Sequence, residues 1–379
     1  MISVDMIVRS DALSKGGGDM IQVDQYRKHL PTKMFDVRIV PFHPTMALRD
    51  GALVHVVNVD RPFDFVLATS AARGRPMIVS PIHHDLAAVR RMRSAERGLG
   101  ARSLVGRLLS ESGREWAATC VRSLKQRSST RDAFVVLRTM LGQVRRVSRV
   151  WSDVGRALDD AHSVFLLAPG EGRSLSRDTG WKGQNSALVP NGSPFDSSRP
   201  EGKPWLSRDI DLIVVGRVEP RKRTLDLVRL AAARGVDITV VGPLHAHESP
   251  FGMAFRAAVE QSPTVTWTGP KSSEEVLELM GRSKVLANAS WVEVQSLVEL
   301  EAAHLGCYVV SSGTGHTSDW IPASVSTAED DDLVDLLERA VRLATSPTGP
   351  GAVAYPHTWA SVTAQVADAY VAASETILR

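Results

Sequence analysis

Only two cysteines, Cys120 and Cys307, occur in 379 residues, and they stand far apart without a CxxC or Cys/His spacing. That argues against a disulfide framework and a zinc site, so both are expected as small buried hydrophobes. No run of about 18 apolar residues is present, so no bilayer-spanning helix is expected. The opening Met1-Ile2-Ser3-Val4-Asp5 lacks a basic n-region, and the expected location is the cytoplasm. No Gly-x-Gly-x-x-Gly follows a strand pattern, which disfavours a dinucleotide-dependent dehydrogenase. Short-period repeats and low-complexity tracts are also missing. What remains is the composition of an ordinary globular protein, long enough for two or three domains with a core in each.

Charge of one sign is scarce overall, at a net +3, but it is unevenly spread. From Arg90 to Arg149 fifteen Arg and Lys face four acids, Glu96, Glu111, Glu115 and Asp132. Within that segment Leu137, Met140, Leu141, Val144, Val147 and Trp151 recur at helical spacing, with Arg138, Arg145 and Arg149 on another face. A basic amphipathic helix of this kind either lies on anionic lipid or covers a core and leaves its arginines in water. Nucleic acid ranks low as a partner, because no aromatic interleaving or base-reading motif accompanies the charge.

Strand and helix patterns alternate through the chain. In the first half the strands are Val4–Val8, Val37–Val40, Leu53–Val57, Met77–Val79 and Ser163–Leu167, with a glycine loop, Gly16-Gly17-Gly18, after the first. Long helices are expected between about 86 and 160. Prolines, serines and charges mark a linker over 193–208. A second series follows, with strands near 211–215, 237–241, 264–268, 284–287 and 307–311. The pattern predicts two α/β domains with mostly parallel sheets, and an amphipathic helix after Pro356 carrying Trp359, Val362, Val366, Tyr370 and Ile377.

Two stretches of the second series carry candidate chemistry. The strand Asp211–Val215 runs into Gly216-Arg217-Val218-Glu219-Pro220-Arg221-Lys222-Arg223 and then a helical pattern, half of a βαβ unit. Ligands of open α/β sheets bind beyond the carboxyl ends of strands, so Arg217 and Lys222 stand where a polyphosphate would be received; a merely solvated basic turn is the plainer reading. Further on, Glu293 and Glu301 stand eight positions apart. A helix starting near Gln295 or Ser296 leaves Glu293 in the preceding loop and carries Glu301 about two turns inward. The N–H groups around Gln295, Ser296 and Leu297 then form an anion site flanked by two carboxylates that could accept hydroxyl hydrogen bonds. That suits a nucleotide sugar, although acids are favoured at any helix start.

Together, the Gly216-Arg217 to Lys222 spacing, the Glu293 to Glu301 pair and Leu188-Val189-Pro190-Asn191-Gly192 with Phe195-Asp196 resemble retaining glycosyltransferases of the GT-B fold, family 4. The Gly16–Gly18 loop and His83-His84-Asp85 fall where that family has a glycine loop and a His-Asp motif. The resemblance implies two Rossmann-like domains facing across a cleft: residues 1–198 binding acceptor, 199–355 binding the nucleotide sugar, and a helix at 356–379 crossing back to the first domain. It implies that Arg217, Lys222, Gly16, Gly17, Gly18, Gln295, Ser296 and Leu297 hold the donor diphosphate and that Glu301 holds the ribose. Glu293 would hold hydroxyls of the donor sugar. His84 would lie beside the reacting centre, with His83 as its rival one residue away. Retention is generally explained in that family by front-face attack assisted by the departing phosphate, so no enzyme nucleophile is implied.

No cofactor and no metal are expected; Asp330-Asp331-Asp332 reads as the acidic start of a helix over Leu333–Leu343 rather than a metal site. Departures from the family pattern are Val294-Gln295-Ser296 in place of Gly-Phe-Gly, Asn288-Ala289-Ser290 in place of Pro-Ser, and Arg223 where glycine is common. Arg223 predicts a more ordinary backbone conformation after Lys222. The expected function is transfer of a sugar from a nucleoside diphosphate donor to an acceptor in cell-envelope polysaccharide or glycolipid assembly, with the basic segment 90–149 resting on an anionic membrane surface. A small soluble acceptor, or nucleotide binding without catalysis, are the alternatives.

Overall fold

A computed structural model describes residues 1–13, 16–96, 110–126, 130–193, 195, 202–244, 246–322, 325–328 and 332–375. The chain divides into two compact units. One comprises Met1–Leu86, Arg97–Gly192 and Trp359–Arg379; the other comprises Ser193–Thr358 with Ala87–Glu96.

The first unit is built on six parallel strands: β1 (Ile2–Val8), β2 (Phe35–Pro41), β3 (Leu53–Val57), β4 (Met77–Ser80), β5 (Ser163–Leu166) and β6 (Ser186–Leu188), ordered β2-β1-β3-β4-β5-β6. The chain reverses its lateral direction between β1 and β3, so a topological switch point opens beyond the carboxyl ends of those strands. Alternate residues of β3 face opposite layers. Val54 and Val56 join Phe63, Phe65, Val154 and Leu158 in one core layer. On the other side the buried His55 bonds Tyr370 Oη at 2.7 Å and Ser80 Oγ at 2.9 Å. Burial alone pushes this imidazole down to about 3, so it sits there neutral. Tyr370 belongs to the C-terminal helix Trp359–Glu375, whose Trp359, Val362, Val366 and Tyr370 are buried. The C-terminal helix therefore completes the first unit, as the family resemblance implies; Ile377 lies outside the described residues.

The second unit has six parallel strands: β7 (Ile210–Val215), β8 (Ile238–Val241), β9 (Val265–Trp267), β10 (Ser283–Asn288), β11 (Tyr308–Ser312) and β12 (Val325–Ala328), ordered β12-β11-β10-β7-β8-β9. β7 and β10 are adjacent, with Leu212 opposite Val285, and here the winding reverses. Leu212, Val214, Val240, Val285 and Val310 pack under one helical layer; Ile213, Leu286, Leu300 and Val309 pack under the other. Two short edge strands, β6 and β12, are present beyond those expected.

Three expectations are corrected. The segment 193–208 is not a linker throughout. Residues 194 and 196–201, Asp196 among them, lie outside the described residues, but Arg208 is buried and donates to the carbonyls of Lys203, Ser283 and Leu305 at 3.0, 2.6 and 2.7 Å. Its guanidinium ties this end of the segment to the second unit.

The basic segment does not form one continuous helix through Trp151. A helix over Thr130–Gln143 gives way to a 3₁₀ turn, Val144–Arg149, and a new helix, Val150–Asp159. Within the first helix Val136 and Met140 are buried while Leu137 and Leu141, and Val144 just past its end, are exposed, and the turn then breaks the helical phase before Val150.

Arg223, finally, keeps the left-handed conformation, with φ 52° and ψ 21°. A non-glycine residue there costs about 1–2 kcal/mol. The Arg223 guanidinium stacks 3.9 Å from the Trp291 ring centroid, a contact of about the same size when desolvated.

Candidate functional site

The candidate residues fall into two sets, one in each unit. In the second unit the site grows from the switch point. Gly216 follows β7 with φ 141°, a conformation closed to residues with a side chain, and its amide donates to Val241 O at 2.9 Å. This turn delivers Arg217 and, after a short 3₁₀ turn at Pro220–Lys222, Lys222. With Thr224 and Asn288 they line a small depression at the carboxyl edge of the sheet. The loop after β10 brings Glu293 to the same place. Lys222 Nζ donates to Glu293 Oε2 at 2.5 Å, and both side chains are largely buried. Arg221 braces the loop by donating to Val292 O at 2.9 Å, while its own carbonyl accepts from Trp291 N at 2.9 Å. Arg217 is partly exposed and 3.6 Å from Glu219.

The helix after Glu293 runs over Leu297–His304, with no side chain capping its start. Glu301 is its fifth residue, so it stands about one turn inward rather than two. Its carboxylate has no hydrogen-bond or ion-pair partner among the described residues, and burial pushes its pKa up to about 7. Of the expected amide donors, Ser296 N is already bonded to Thr317 Oγ1 at 3.0 Å. Gln295 turns its side chain to Tyr355 Oη at 3.1 Å. Leu297 N, in the first turn of the helix, has no bonded partner among the described residues. Asp332 caps the helix Leu333–Ala344 through Val334 N at 2.8 Å, the helix-opening role expected of it; Asp330 and Asp331 lie outside the described residues.

A third carboxylate escaped the sequence reading. Glu299 is buried, accepts from Asn288 Nδ2 at 2.6 Å, and bonds Thr317. Burial raises its pKa; the Thr317 bond opposes this, the nearby Glu293 charge reinforces it, and the result is about 7. The signal was a glutamate three and four residues before Ala302 and Ala303, hence on the buried stripe of the helix. The loop after β11 also contributes: His316 N donates to Val294 O at 2.6 Å, and Thr314 Oγ1 to Ser290 O at 3.1 Å.

In the first unit, Gly16–Gly18 and His84 follow β1 and β4 of one parallel sheet, so both lie at its carboxyl edge. Gly17 precedes the helix Gly18–His29 in an extended conformation. A Cβ on Gly17 would come within 2.8 Å of Asp19 Oδ1, which is held by Arg9; at Gly16 and Gly18 the space is open. Asp60 and Arg61, after β3, tie the two segments. Arg61 bonds Asp11 and Ser10 at 2.7 and 3.1 Å, and Asp60 binds His84 through both its backbone amide and Nδ1. With Nδ1 engaged, Nε2 of the partly exposed His84 has no partner among the described residues.

His83 is different in kind. It is buried, 3.0 Å from Asp178 and 3.7 Å from Asp60, and its amide donates to the buried Glu171 at 2.8 Å. Burial disfavours its charge, but the hydrogen bond to Asp178 and the nearby Asp60 carboxylate outweigh that and raise its pKa to about 9. His83 is thus a cation holding two carboxylates, and His84 is the accessible ring. Asp85 pairs with Arg177 at 2.8 Å. Asp60, Glu171 and Asp178 were not found from sequence; only the place of Asp60 just past a strand end marked it.

Residues 209–346, which contain all of the second unit's candidate residues, match the model of the family described as Glycosyl transferases group 1. No curated protein sequence matches the chain. Among solved structures it is similar to Anabaena Alr3699/HepE in complex with UDP and glucose, at 13% identity and TM-score 0.54, over 100% of this chain and 98% of that one. It is also similar to sucrose-phosphate synthase (tll1590) from Thermosynechococcus elongatus, at 13% identity and TM-score 0.56, over 100% and 97%. A third is the lipopolysaccharide outer core galactosyltransferase WaaB in its apo form, at 12% identity and TM-score 0.56, over 98% and 99%. Identities this low speak to fold alone, and the fold they share is GT-B. The chain has the GT-B fold, and within its second unit residues 209–346 match the glycosyl transferases group 1 model.

Proposed function

We propose that this protein is a retaining glycosyltransferase using a nucleoside diphosphate hexose. The carrying observation is the Lys222–Glu293 pair at the switch point of the matched segment; Glu301, on the helix that follows, is a carboxylate without a partner among the described residues. Lys222 and Arg217 receive the diphosphate, which leaves as the bond from the anomeric carbon to the phosphate oxygen breaks. Glu293 accepts from sugar hydroxyls and Glu301 from the ribose. The acceptor hydroxyl adds from the face the diphosphate leaves, and its proton passes to the departing phosphate oxygen. His84, aimed by Asp60, presents Nε2 to the acceptor held by the first unit. No metal is invoked, because the cations of the chain supply the charge.

UDP and glucose, present in the Anabaena neighbour, make a UDP-hexose the first donor to try, and the activity named for WaaB makes a cell-envelope glycan or glycolipid the first acceptor class. The experiment incubates protein with UDP-hexoses and candidate acceptors and follows UDP release and the anomeric proton of the product by NMR. Product with the donor's anomeric configuration supports the reading; an inverted product contradicts it. Gln295, committed to Tyr355 where the family has an aromatic between two glycines, favours a second reading in which nucleotide binds without turnover. Tight nucleotide binding with no transfer to any acceptor would select it.

A further inference from the structure

The first unit carries a surface that sugar transfer does not require. The helix Thr130–Gln143 faces inward with Val136 and Met140 and is held by Trp116, whose Nε1 donates to Met140 O at 2.8 Å. Yet Phe134, Leu137, Leu141 and, just past its end, Val144 are 68%, 50%, 57% and 48% exposed. Spaced by three, four and three residues, they form one apolar stripe about 15 Å long. At 100° per residue Arg138 borders this stripe. Val144 opens the 3₁₀ turn that bears Arg146 and Arg149, and these two line a broad groove with Arg73 and Arg156. Asp153 and Asp160 are the acids of that groove, and Asp153 is engaged by Arg156. Arg73, Arg146 and Arg149 have no side-chain partner among the described residues.

We infer that this stripe and groove form a docking surface for an anionic lipid bilayer, with the stripe lying in the interface and the arginines receiving lipid phosphates. The chemistry selects this occupant. An apolar strip joined to unpaired arginines matches a surface that offers acyl chains and phosphates side by side. A second copy of the chain in two-fold contact would set these arginines against themselves. A nucleic acid backbone would leave the four apolar side chains unsatisfied. At about 15 Å the stripe is too short to cross a bilayer, and among the described residues no helix is long and apolar enough to do so. The inference rests on this surface alone and stands whether or not the donor reading holds.

The test is co-flotation of the full chain with phosphatidylcholine vesicles, with and without phosphatidylglycerol, at low and high salt. Binding to the phosphatidylglycerol vesicles, at least about tenfold stronger than to phosphatidylcholine alone and weakened by salt, is expected. Leu137→Ser with Leu141→Ser, and separately Arg146→Glu with Arg149→Glu, should each lower it about tenfold or more while melting temperature and UDP binding stay unchanged. Should either pair melt early, Phe134→Cys carrying an environment-sensitive dye gives an independent readout, with a blue shift expected on anionic vesicles only. Vesicle binding that is absent, indifferent to phosphatidylglycerol, or unaffected by both pairs overturns the inference. So does displacement from vesicles by matched inorganic phosphate, which would make the groove a soluble-anion site. Self-association that the leucine pair abolishes, without vesicle binding, would assign the stripe to a second copy.

Discussion

Lys222 and Glu293 come from loops 71 residues apart in the chain and meet as an ion pair at 2.5 Å, largely screened from water. Each neutralises the partner that a ligand would otherwise engage. A diphosphate arriving at Lys222 must compete with Glu293, so Glu293→Gln is expected to tighten binding of UDP alone by several-fold. The same change should shrink the advantage of a UDP-sugar over UDP, because the sugar loses its acceptor. Calorimetry with both ligands reads the two effects, and weaker UDP binding in this variant would contradict the pairing as a competitor of phosphate.

The histidines separate by role. His84→Ala is expected to leave the melting temperature near that of wild type and to lower kcat at least tenfold with little change in nucleotide affinity. His83→Ala should destabilise the first unit by about 2–4 kcal/mol, since it leaves the Asp60 and Asp178 carboxylates without their shared cation. Thermal unfolding and steady-state kinetics on the two variants decide it, and the reverse assignment of effects would exchange their roles.

Stability should decline from mildly acidic to alkaline pH. The His83 contribution is complete below the unfolded value of 6.5 and is lost as pH climbs through about 9. Glu299 acts in the same direction: its unfolded form ionises near 4.5, whereas its buried form resists until about 7, so a penalty accumulates between those values. Glu299→Gln should therefore match wild type below that window and gain up to about 3 kcal/mol above it. Urea melts across the range would show this, and a gain independent of pH would contradict it.

Arg223 gives a backbone test. Arg223→Ala keeps the left-handed strain and loses the Trp291 stack, so a loss of about 1–2 kcal/mol is expected. Arg223→Gly also loses the stack but relieves the strain, and should be the more stable of the two by about 1 kcal/mol. Chemical denaturation ranks them; equal stabilities would mean the conformation at 223 carries no cost.

The same residue shows where sequence stops being informative. Alternation of apolar strands and helices located ten of the twelve strands among the described residues, because buried parallel strands are continuous apolar runs; β6 and β12 are short and lie at sheet edges. Arg217, Lys222 and Glu293 were legible because a strand end followed by a turn marks the ligand edge of such a sheet. The left-handed Arg223 was not, since the stacking that holds it comes from Trp291, on another loop. Nor were Asp60 and Asp178, which acquire meaning only when folding sets them around His83. The exposed stripe was hidden in the same way, because Leu137 and Leu141 adjoin Val136 and Met140 in sequence and only packing decides which pair faces inward.

The central claim is that the second unit binds a nucleoside diphosphate sugar through Lys222 and Glu301. Its most direct test is a calorimetric titration of UDP, GDP, ADP and TDP, each with a hexose conjugate, into wild type, Lys222→Ala and Glu301→Ala. The account expects one nucleotide to bind selectively, and affinity to fall about tenfold to a hundredfold in both variants, about 1.5–3 kcal/mol for a lost charge-assisted bond. Unchanged affinity in both variants, or no binding of any nucleotide to wild type, would contradict it.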